Sequence, residues 1–325
     1  MSEEFRSLRS LSARIGADPY LVQAAGGNTS IKQDNTMWIK ASGTWLKDAA
    51  HKDIFVPLNY PELVASLAMD DPDCESCLKF IRTEDNHSNL RPSIETSVHG
   101  LMPQSVVLHV HCVNTIAWAI AEDAETYLAQ RMVGFNWAFI PYARPGLNLS
   151  RAIRQRLKPS CNVLVLGNHG LVVAAETVAE AETLLDVVVH RLALPARPKQ
   201  AADMAALTEM TIGTDYVPAS SPETHALAFD NFALGEGCAN VFYPDHVVFL
   251  GKTLSNDFAS NAPAIVIKRR GVLIHKSAKA AVEPMVRCVS DVFRRIGPQT
   301  KLRPLTELQI EELLNWDAEK YRQKN

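Results

Sequence analysis

The sequence is poor in the features that mark secreted, membrane-bound and nucleic-acid-binding proteins. Its six cysteines among 325 residues are too few and too irregularly spaced for a disulfide framework. No apolar run approaches the length of a membrane span, and the N-terminal segment lacks the basic and apolar regions of a secretion signal. Acidic and basic residues are interspersed, with a formal net charge of −3, so no basic face predicts nucleic acid or a membrane surface as a partner. We therefore expect a cytoplasmic protein whose partners are small molecules or other proteins.

The size and composition of the chain allow one large or two medium-sized domains, with 47% hydrophobic residues. The clearest boundary signal is the segment 194–201, LPARPKQA, which contains two prolines and two basic residues. It predicts one domain over residues 1–200 and a second over residues 201–325. Cys74 and Cys77 have the spacing of a metal or redox pair, but the chain has no second such pair, and a structural role is favoured.

Hydrophobic periodicity and capping signals predict alternating helices and strands. Thr177 and Glu180 have the spacing of a helix capping box, and Ser93 is placed to cap a helix that begins near Glu95. The predicted helices cover residues 4–15, 61–69, 112–121 and 177–192, and the predicted strands cover residues 36–40, 105–111, 161–166 and 171–174.

The C-terminal part contains an internal echo of the first domain. When Gly170 is placed on Gly271, both segments have the order strand, turn, strand and helix, with several identical residues. Arg270 stands where the first segment has His169, so residues 201–325 would contain a degenerate half-repeat that shapes or covers a site. Chance similarity between two common strand-strand-helix patterns remains an alternative.

Two histidines at the end of an apolar run form the first candidate site. Side chains alternate along a strand, so His109 and His111 project together while Val110 points to the core. His169 lies in the glycine turn GNHG, from which a side chain can reach into a cleft. Three neutral imidazoles with one open position are a common catalytic zinc arrangement. Each of these histidines alone has a structural alternative, either packing or a role in the turn.

Glu95 and two glycine turns add further candidate groups. Glu95 could act as the base beside a metal that polarises a carbonyl group, or be a first-turn glutamate favoured by the helix dipole. A semi-apolar pocket would raise its pKa towards neutrality. The turns at residues 26–30 and 42–44 combine backbone N–H groups with Asn, Ser and Thr donors, which suits a phosphate or a carboxylate.

At these positions the chain resembles the class II aldolase/adducin family over roughly residues 5–193. It looks especially similar to the aldolase half of bacterial proteins in which a rhamnulose-phosphate-type aldolase is fused to a dehydrogenase. No glycine-rich dinucleotide fingerprint follows here. The resemblance rests on five motifs in order: Gly26-Gly27-Asn28-Thr29-Ser30, Ala41-Ser42-Gly43, Pro92-Ser93-Ile94-Glu95 with His99, His109-Val110-His111, and His169-Gly170.

The resemblance implies a fold, a metal and an assembly. The fold would be a three-layer α/β/α sandwich around a largely antiparallel sheet, here with a smaller α/β C-terminal extension. His109, His111 and His169 would bind zinc, although a three-histidine site also accepts manganese, cobalt or iron. Glu95 would be the acid/base. The assembly would be a cyclic homotetramer with active sites between subunits.

The resemblance also implies where the substrate binds. The residues expected to hold a substrate phosphate are Asn28, Ser42, Gly43, Thr44 and Ser93. Family aldolases typically have two serines before the catalytic glutamate, and Ile94 replaces the second, which leaves open a different anion or an unphosphorylated substrate. A tyrosine from a neighbouring subunit would protonate the leaving aldehyde oxygen. Tyr127 is the candidate, and Tyr142 competes with it.

The implied reaction is cleavage or formation of the C3–C4 bond of a ketose, through an ene-diolate stabilised by the metal. Two alternatives remain. A sugar-phosphate epimerase or dehydratase of the same superfamily would use the same metal, although the epimerases usually have aspartate where Glu95 stands. A non-catalytic adducin-like scaffold usually lacks the metal histidines, whereas this chain has all three.

The C-terminal segment is expected to pack on the first domain and to narrow its active site, because its apolar residues 227–250 need covering. The polar clusters Thr211–Tyr216 and Pro244-Asp245-His246 would line a specificity pocket, or His246 would be an ordinary residue at the start of a strand. The start of a strand is the favoured interpretation.

Overall fold

The computed structural model describes residues 2–323 of the chain. Its larger sheet has the strand order β3-β2-β1-β4-β7-β6-β5, and within the described residues only the β5–β6 pair is parallel. The predicted, largely antiparallel sheet is thereby confirmed. Its strands are β1 (Asn28–Gln33), β2 (Thr36–Lys40), β3 (Phe55–Asn59), β4 (Val106–Val110), β5 (Trp137–Ile140), β6 (Val163–Leu166) and β7 (Gly170–Ala175).

Helices cover both faces of this sheet and complete the predicted three layers. They are α1 (Glu3–Ala17), α2 (Tyr60–Ala68), α3 (Thr96–Leu101), α4 (Val113–Ala119), α5 (Ala124–Arg131), α6 (Leu147–Arg156) and α7 (Val178–Arg191). Alternate residues of β4 enter two different cores: Leu108 packs with residues of α1 and α7, and Val107 packs with residues of α3 and α6. His109 has the same parity as Val107, so its side chain is directed to the α3 side.

Local signals account for most of the helix boundaries. The predicted capping box of α7 is present, with Thr177 accepting from the Glu180 N–H. The predicted helix start at Ser93 is wrong, because α3 begins only at Thr96. The Ser93 N–H donates to the Lys40 carbonyl (3.0 Å), which holds the segment beside β2 before the helix begins. The Ser93 hydroxyl instead accepts from the Glu95 N–H (3.2 Å) in a local turn.

The C-terminal segment forms a second, smaller α/β unit. Its sheet has the order β8-β10-β9, and strands β9 and β10 followed by α12 have the order that the internal echo predicts; common ancestry of the two units and the boundary near residue 200 stay predictions. Its elements are β8 (Tyr216–Pro218), β9 (Ala264–Ile267), β10 (Gly271–His275), α8 (Met204–Met210), α9 (Pro222–His225), α10 (Asn231–Gly237), α11 (Pro244–Leu250), α12 (Val282–Phe293), α13 (Glu307–Leu314) and α14 (Asp317–Arg322).

Residue 246 does not begin a strand, contrary to the favoured interpretation. It lies in α11, which Pro244 opens at a position where its missing N–H and fixed φ suit a helix. Within residues 2–323, no helix is long and apolar enough to cross a membrane. The six cysteines are all unpaired.

The two units share an apolar core. Val113 and Ile116 of α4, and Ile120 directly after it, are buried in one cluster with Val286 and Val289 of α12. A polar contact adds to this packing, because the buried side-chain amide of Asn168 donates to the carbonyls of Phe242 (2.9 Å) and Arg303 (2.7 Å). The C-terminal segment therefore fixes the turn between β6 and β7.

Truncation after residue 200 tests this packing. Removal of α12 exposes the apolar face of α4, so we expect the shortened chain to aggregate or to bind a hydrophobic dye strongly. Size-exclusion chromatography and dye fluorescence measure this. A monodisperse truncated chain with the secondary structure of the full chain would contradict the shared core.

Candidate functional site

Three histidines from two neighbouring strands converge in the structure. Strand β4 carries His109 and is followed directly by His111, while His169 lies in the turn before β7, the strand paired with β4. The ring centroids are 4.9 to 5.1 Å apart. One ligand atom from each histidine and from Glu95 all lie within 4.8 Å of one another, and all four residues are buried. The geometry thus brings together the residues that the sequence predicts as metal ligands and base.

The outer nitrogens of two imidazoles are held by acceptors. Nδ1 of His109 donates to the Leu171 carbonyl (3.0 Å), and Nδ1 of His111 donates to the Asp245 carboxylate (2.8 Å). Neutral rings in these tautomers carry their lone pairs on Nε2, and the two Nε2 atoms are 3.1 Å apart. Two facing lone pairs repel each other unless a cation lies between them. The donor set therefore fits a divalent cation.

Burial favours the neutral, metal-binding form of the imidazoles. It lowers the pKa of His169 to about 3, and it lowers the pKa of His111 even though Asp245 opposes the shift. Asp245 itself stays ionised, because Arg322 and His111 outweigh its burial and hold its pKa well below the usual range. A carboxylate hydrogen-bonded to a ligand imidazole orients the ring and increases its basicity.

Glu95 lies against the histidines and is held by a buried chain of hydrogen bonds. Its Oε2 is 3.2 Å from His109 Nε2, and its Oε1 is 3.3 Å from His169 Nε2. The Asn28 amide donates to Oε2 (2.9 Å), His99 bonds the Asn28 carbonyl oxygen, and Ser30 bonds the other nitrogen of His99 (2.7 Å). This chain fixes the amide orientation, so the NH₂ group of Asn28 faces the carboxylate.

The pKa of Glu95 is shifted in the direction opposite to the expected one. Burial opposes ionisation, but the nearby imidazoles of His109 and His169 outweigh it and hold the pKa well below the usual range. The Asn28 amide also donates to Oε2, and a hydrogen bond to the charged form favours the anion. The sequence indicates the apolar surroundings of Glu95, but not how close the imidazoles come.

Gly26 is required where the two units meet. A Cβ at this position would lie 2.7 Å from His111 Nδ1 and 2.8 Å from Asp245 Oδ2. Both distances are shorter than real Cβ atoms show, so any side chain would push the imidazole and the carboxylate apart. The glycine of the GGNTS motif thus leaves space for the His111–Asp245 contact.

Most of the predicted phosphate-binding residues line the cavity beside the histidines. Asn28, Ser42, Gly43 and Ser93 are on its wall, and the buried Ser42 hydroxyl has no hydrogen-bond partner among the described residues. Thr44 is not on the wall, and its hydroxyl donates to the Ala41 carbonyl (2.8 Å). The cavity volume is about 20 Å³, which is room for a single water molecule.

The two candidate tyrosines are not brought to the cluster of their own chain. Tyr127 lies on α5, 46% exposed, with its ring 6.3 Å from that of Trp118 in a separate cavity. Tyr142 is half-buried against the apolar cluster of α11 and α13. A contribution of Tyr127 to a neighbouring subunit stays a prediction.

Sequence reasoning missed three charged residues on the cavity wall as members of the site. They are Lys40, Glu319 and Arg322. Asp245 belongs to one of the two C-terminal polar clusters expected to line a pocket, whereas the other, residues 211–216, does not reach this wall. Arg322 donates to Asp245 (2.6 Å) and to Glu319 (3.3 Å). The expectation that the C-terminal segment narrows the site is met by these contacts.

Replacing Asp245 tests its role beside His111. We expect Asp245→Asn to weaken divalent-cation binding roughly 10- to 100-fold, because a neutral amide neither orients His111 nor increases its basicity as a carboxylate does. Competition with a chelator measures the affinity. The control is Asp186→Asn on the exposed side of α7, which should leave the affinity unchanged. Equal affinities for both variants would contradict the assignment.

Comparisons with known proteins agree with this fold and site. The family model described as "Class II Aldolase and Adducin N-terminal domain" matches residues 10–194. A curated relative, "Uncharacterized oxidoreductase YuxG" of Bacillus subtilis (strain 168), is 30% identical over 176 residues, which cover 50% of this chain. The match spans only 25% of the length of that relative.

A solved structure with a TM-score above 0.5 supports the fold, and the fold alone. The N-terminal class II aldolase domain of a conserved protein from Thermoplasma acidophilum has a TM-score of 0.51 at 24% identity, covering 59% of this chain and 93% of that one. A sugar-phosphate aldolase from Thermotoga maritima has a TM-score of 0.43 at 14% identity, covering 58% and 92%. The family match extends over more than half of the chain, and the family predicted from the motifs is confirmed. The protein belongs to the class II aldolase and adducin N-terminal domain family.

Proposed function

We propose that this protein is a metal-dependent aldolase, a carbon-carbon lyase of carbohydrate metabolism that cleaves or forms the C3–C4 bond of a ketose. The proposed substrate is a sugar phosphate. The observation that carries the proposal is the convergence of three neutral imidazoles on Glu95, with the outer nitrogens of His109 and His111 already bonded to acceptors. A scaffold that only binds partners would not require this buried arrangement.

The three histidines are the proposed ligands of zinc, and the same set accepts manganese, cobalt or iron. The bound cation would supply Lewis-acid stabilisation of negative charge on a substrate oxygen. Leu171 and Asp245 hold two of the ligand rings so that their Nε2 atoms face the centre. The two ligand rings therefore lose little conformational freedom when the ion binds.

Glu95 is the proposed acid/base. Asn28 occupies its Oε2, whereas the buried Oε1 has no hydrogen-bond partner among the described residues and is the oxygen able to receive a proton. Asn28 and His99 keep the carboxylate from rotating, so Oε1 stays directed at the site where substrate carbon would lie. Glu95 would move the proton between this oxygen and carbon in both directions of the reaction.

The remaining parts of the proposal concern the substrate and the assembly. Asn28, Ser42, Gly43 and Ser93 would bind the phosphate, supported by the unpartnered Ser42 hydroxyl, whereas Thr44 lies off the cavity wall. In a homotetramer, Tyr127 of one subunit would protonate the leaving oxygen at a neighbouring site, and its exposure leaves it free to do so. The six unpaired cysteines suit a reducing, cytoplasmic location.

Metal content and activity test the proposal together. We expect about one zinc per chain by elemental analysis, and loss of that metal in His109→Ala/His111→Ala because two of its ligands are missing. The control is His51→Ala/His87→Ala, which changes two exposed histidines. Ketose phosphates are then screened for aldehyde release and, separately, for inversion of configuration. Inversion of configuration without aldehyde release would favour an epimerase over an aldolase. A protein that binds no metal even when zinc is supplied would favour a scaffold.

Glu95→Gln tests the base separately from the metal. We expect it to keep the bound metal and to reduce kcat roughly 10²- to 10⁴-fold, the usual contribution of general acid/base catalysis. The reason is that an amide cannot accept the proton, while it can still bond Asn28. A variant with bound metal and unchanged kcat would exclude Glu95 as the acid/base.

A further inference from the structure

Two buried cations face the cavity beside the metal cluster, and the proposed reaction uses neither. Lys40 is 2% exposed and Arg322 is 8% exposed, and both are on the cavity wall with the unpartnered hydroxyl of Ser42. Lys40 comes from the end of β2, whereas Arg322 is the last residue of α14 in the C-terminal unit. Buried cations are costly to keep unless they meet negative charge. Because both side chains reach the same cavity, this cavity suits a bound anion.

Neither cation has used its full capacity to donate. Nζ of Lys40 donates to the Ala25 carbonyl (2.9 Å), and an ammonium group has three protons. Within residues 2–323, the hydrogen bonds of Arg322 all use Nη1, although a guanidinium has five N–H donors. Asp245 is a fixed partner because its other oxygen bonds His111. Glu319 is a weaker partner, with both of its oxygens 3.3 Å from Nη1.

The balance of charge favours a further anion once a metal is bound. With Lys40 protonated, Lys40, Arg322 and a divalent ion together outnumber the carboxylates of Glu95, Asp245 and Glu319 by one charge. Burial lowers the pKa of Lys40 to about 7, so an anion beside it would favour its charged form. Burial raises the pKa of Glu319 to about 7, so this carboxylate is readily protonated and then no longer balances the positive charges. The cavity thus attracts negative charge from the substrate rather than repelling it.

The cavity is too small for an acid group while Glu319 occupies it. A volume of about 20 Å³ admits one water molecule. The six-residue helix α14 is held from outside by stacked guanidinium groups, with Arg144 4.2 Å from the Trp316 ring and Arg91 4.4 Å from the Tyr321 ring. Displacement of the Glu319 carboxylate, with Arg322 still bonded to Asp245, would make room beside the guanidinium.

We propose that Arg322, together with Lys40, binds an acid group of the substrate, which takes the place of Glu319 beside the guanidinium. The acid group is a phosphate or a carboxylate, since both match the donors of a guanidinium. Arg322 is thus a specificity-determining residue that the C-terminal unit contributes to the site. This inference rests on the proposed function for the identity of the substrate, but binding of the anion can be measured without turnover.

Titration calorimetry on the full, metal-loaded chain tests the binding, with inorganic phosphate in one arm and acetate in the other. The preferred anion is the one of the two that the wild type binds more tightly. We expect Arg322→Gln to weaken binding of this anion roughly 10- to 100-fold, because a charge-assisted hydrogen bond is lost. Lys40→Gln should weaken it as well, Arg322→Lys should weaken it less, and Glu319→Gln should strengthen it. The control is Lys320→Gln, which removes an exposed charge from the same helix. Metal content is measured for every variant, because Arg322 also contacts Asp245.

The outcomes separate this inference from the proposed function. Equal anion binding by wild type, Arg322→Gln and Lys320→Gln would overturn the inference. Tighter binding by Arg322→Gln would also overturn it, because Arg322 would then block the cavity instead of binding the anion. In the aldolase assay, Arg322→Gln should raise KM more for a ketose with an acid group than for an uncharged ketose of the same length. A chain that binds phosphate through Arg322 but cleaves no ketose would refute the aldolase proposal and keep the anion site.

Discussion

The carboxylate of Asp245 joins the two units of the chain at the metal cluster. One oxygen accepts from His111 and the other accepts from Arg322, so a ligand ring and the C-terminal helix depend on the same buried group. An ionised carboxylate in this position is tolerated only because both partners are present, and removal of one partner from a buried pair typically costs about 3–5 kcal/mol. Gly26 leaves the space in which this contact forms. The shape of the cavity follows from this one group.

Local rules predicted the core of the site, because its members follow from strand and turn geometry. Alternation along β4 places His109 and His111 on one side, and the turn before β7 places His169 beside them. The family motifs supplied the role of Glu95. The role of Ser93 as a helix cap was predicted wrongly, because its hydrogen bond to β2 is a long-range contact that no capping pattern in the sequence reveals.

The sequence placed Asp245 in a cluster expected to line a pocket, but neither its contact with His111 nor the presence of Arg322 could be predicted. Each lies on a short helix of the C-terminal unit, and the contact with His111 depends on how α11 and α14 pack against the first sheet. A sequence pattern can indicate that Pro244 and Asp245 begin an ordered segment, but it does not identify the imidazole that this segment meets. His99 is intermediate: it was identified as part of the motif that contains Glu95, and the structure uses it to orient Asn28.

The division of the site between the two units bears on how far family membership informs function. The matched residues 10–194 contain all three histidines, Glu95 and the glycine turns, so membership bears on the metal and the proton transfer. Asp245, Glu319 and Arg322 lie beyond that range and form the wall that a substrate must meet. Family membership therefore does not inform the residues that we propose to bind the acid group of the substrate. The charged residues of α14, rather than the fold of the first unit, are the proposed determinants of substrate choice.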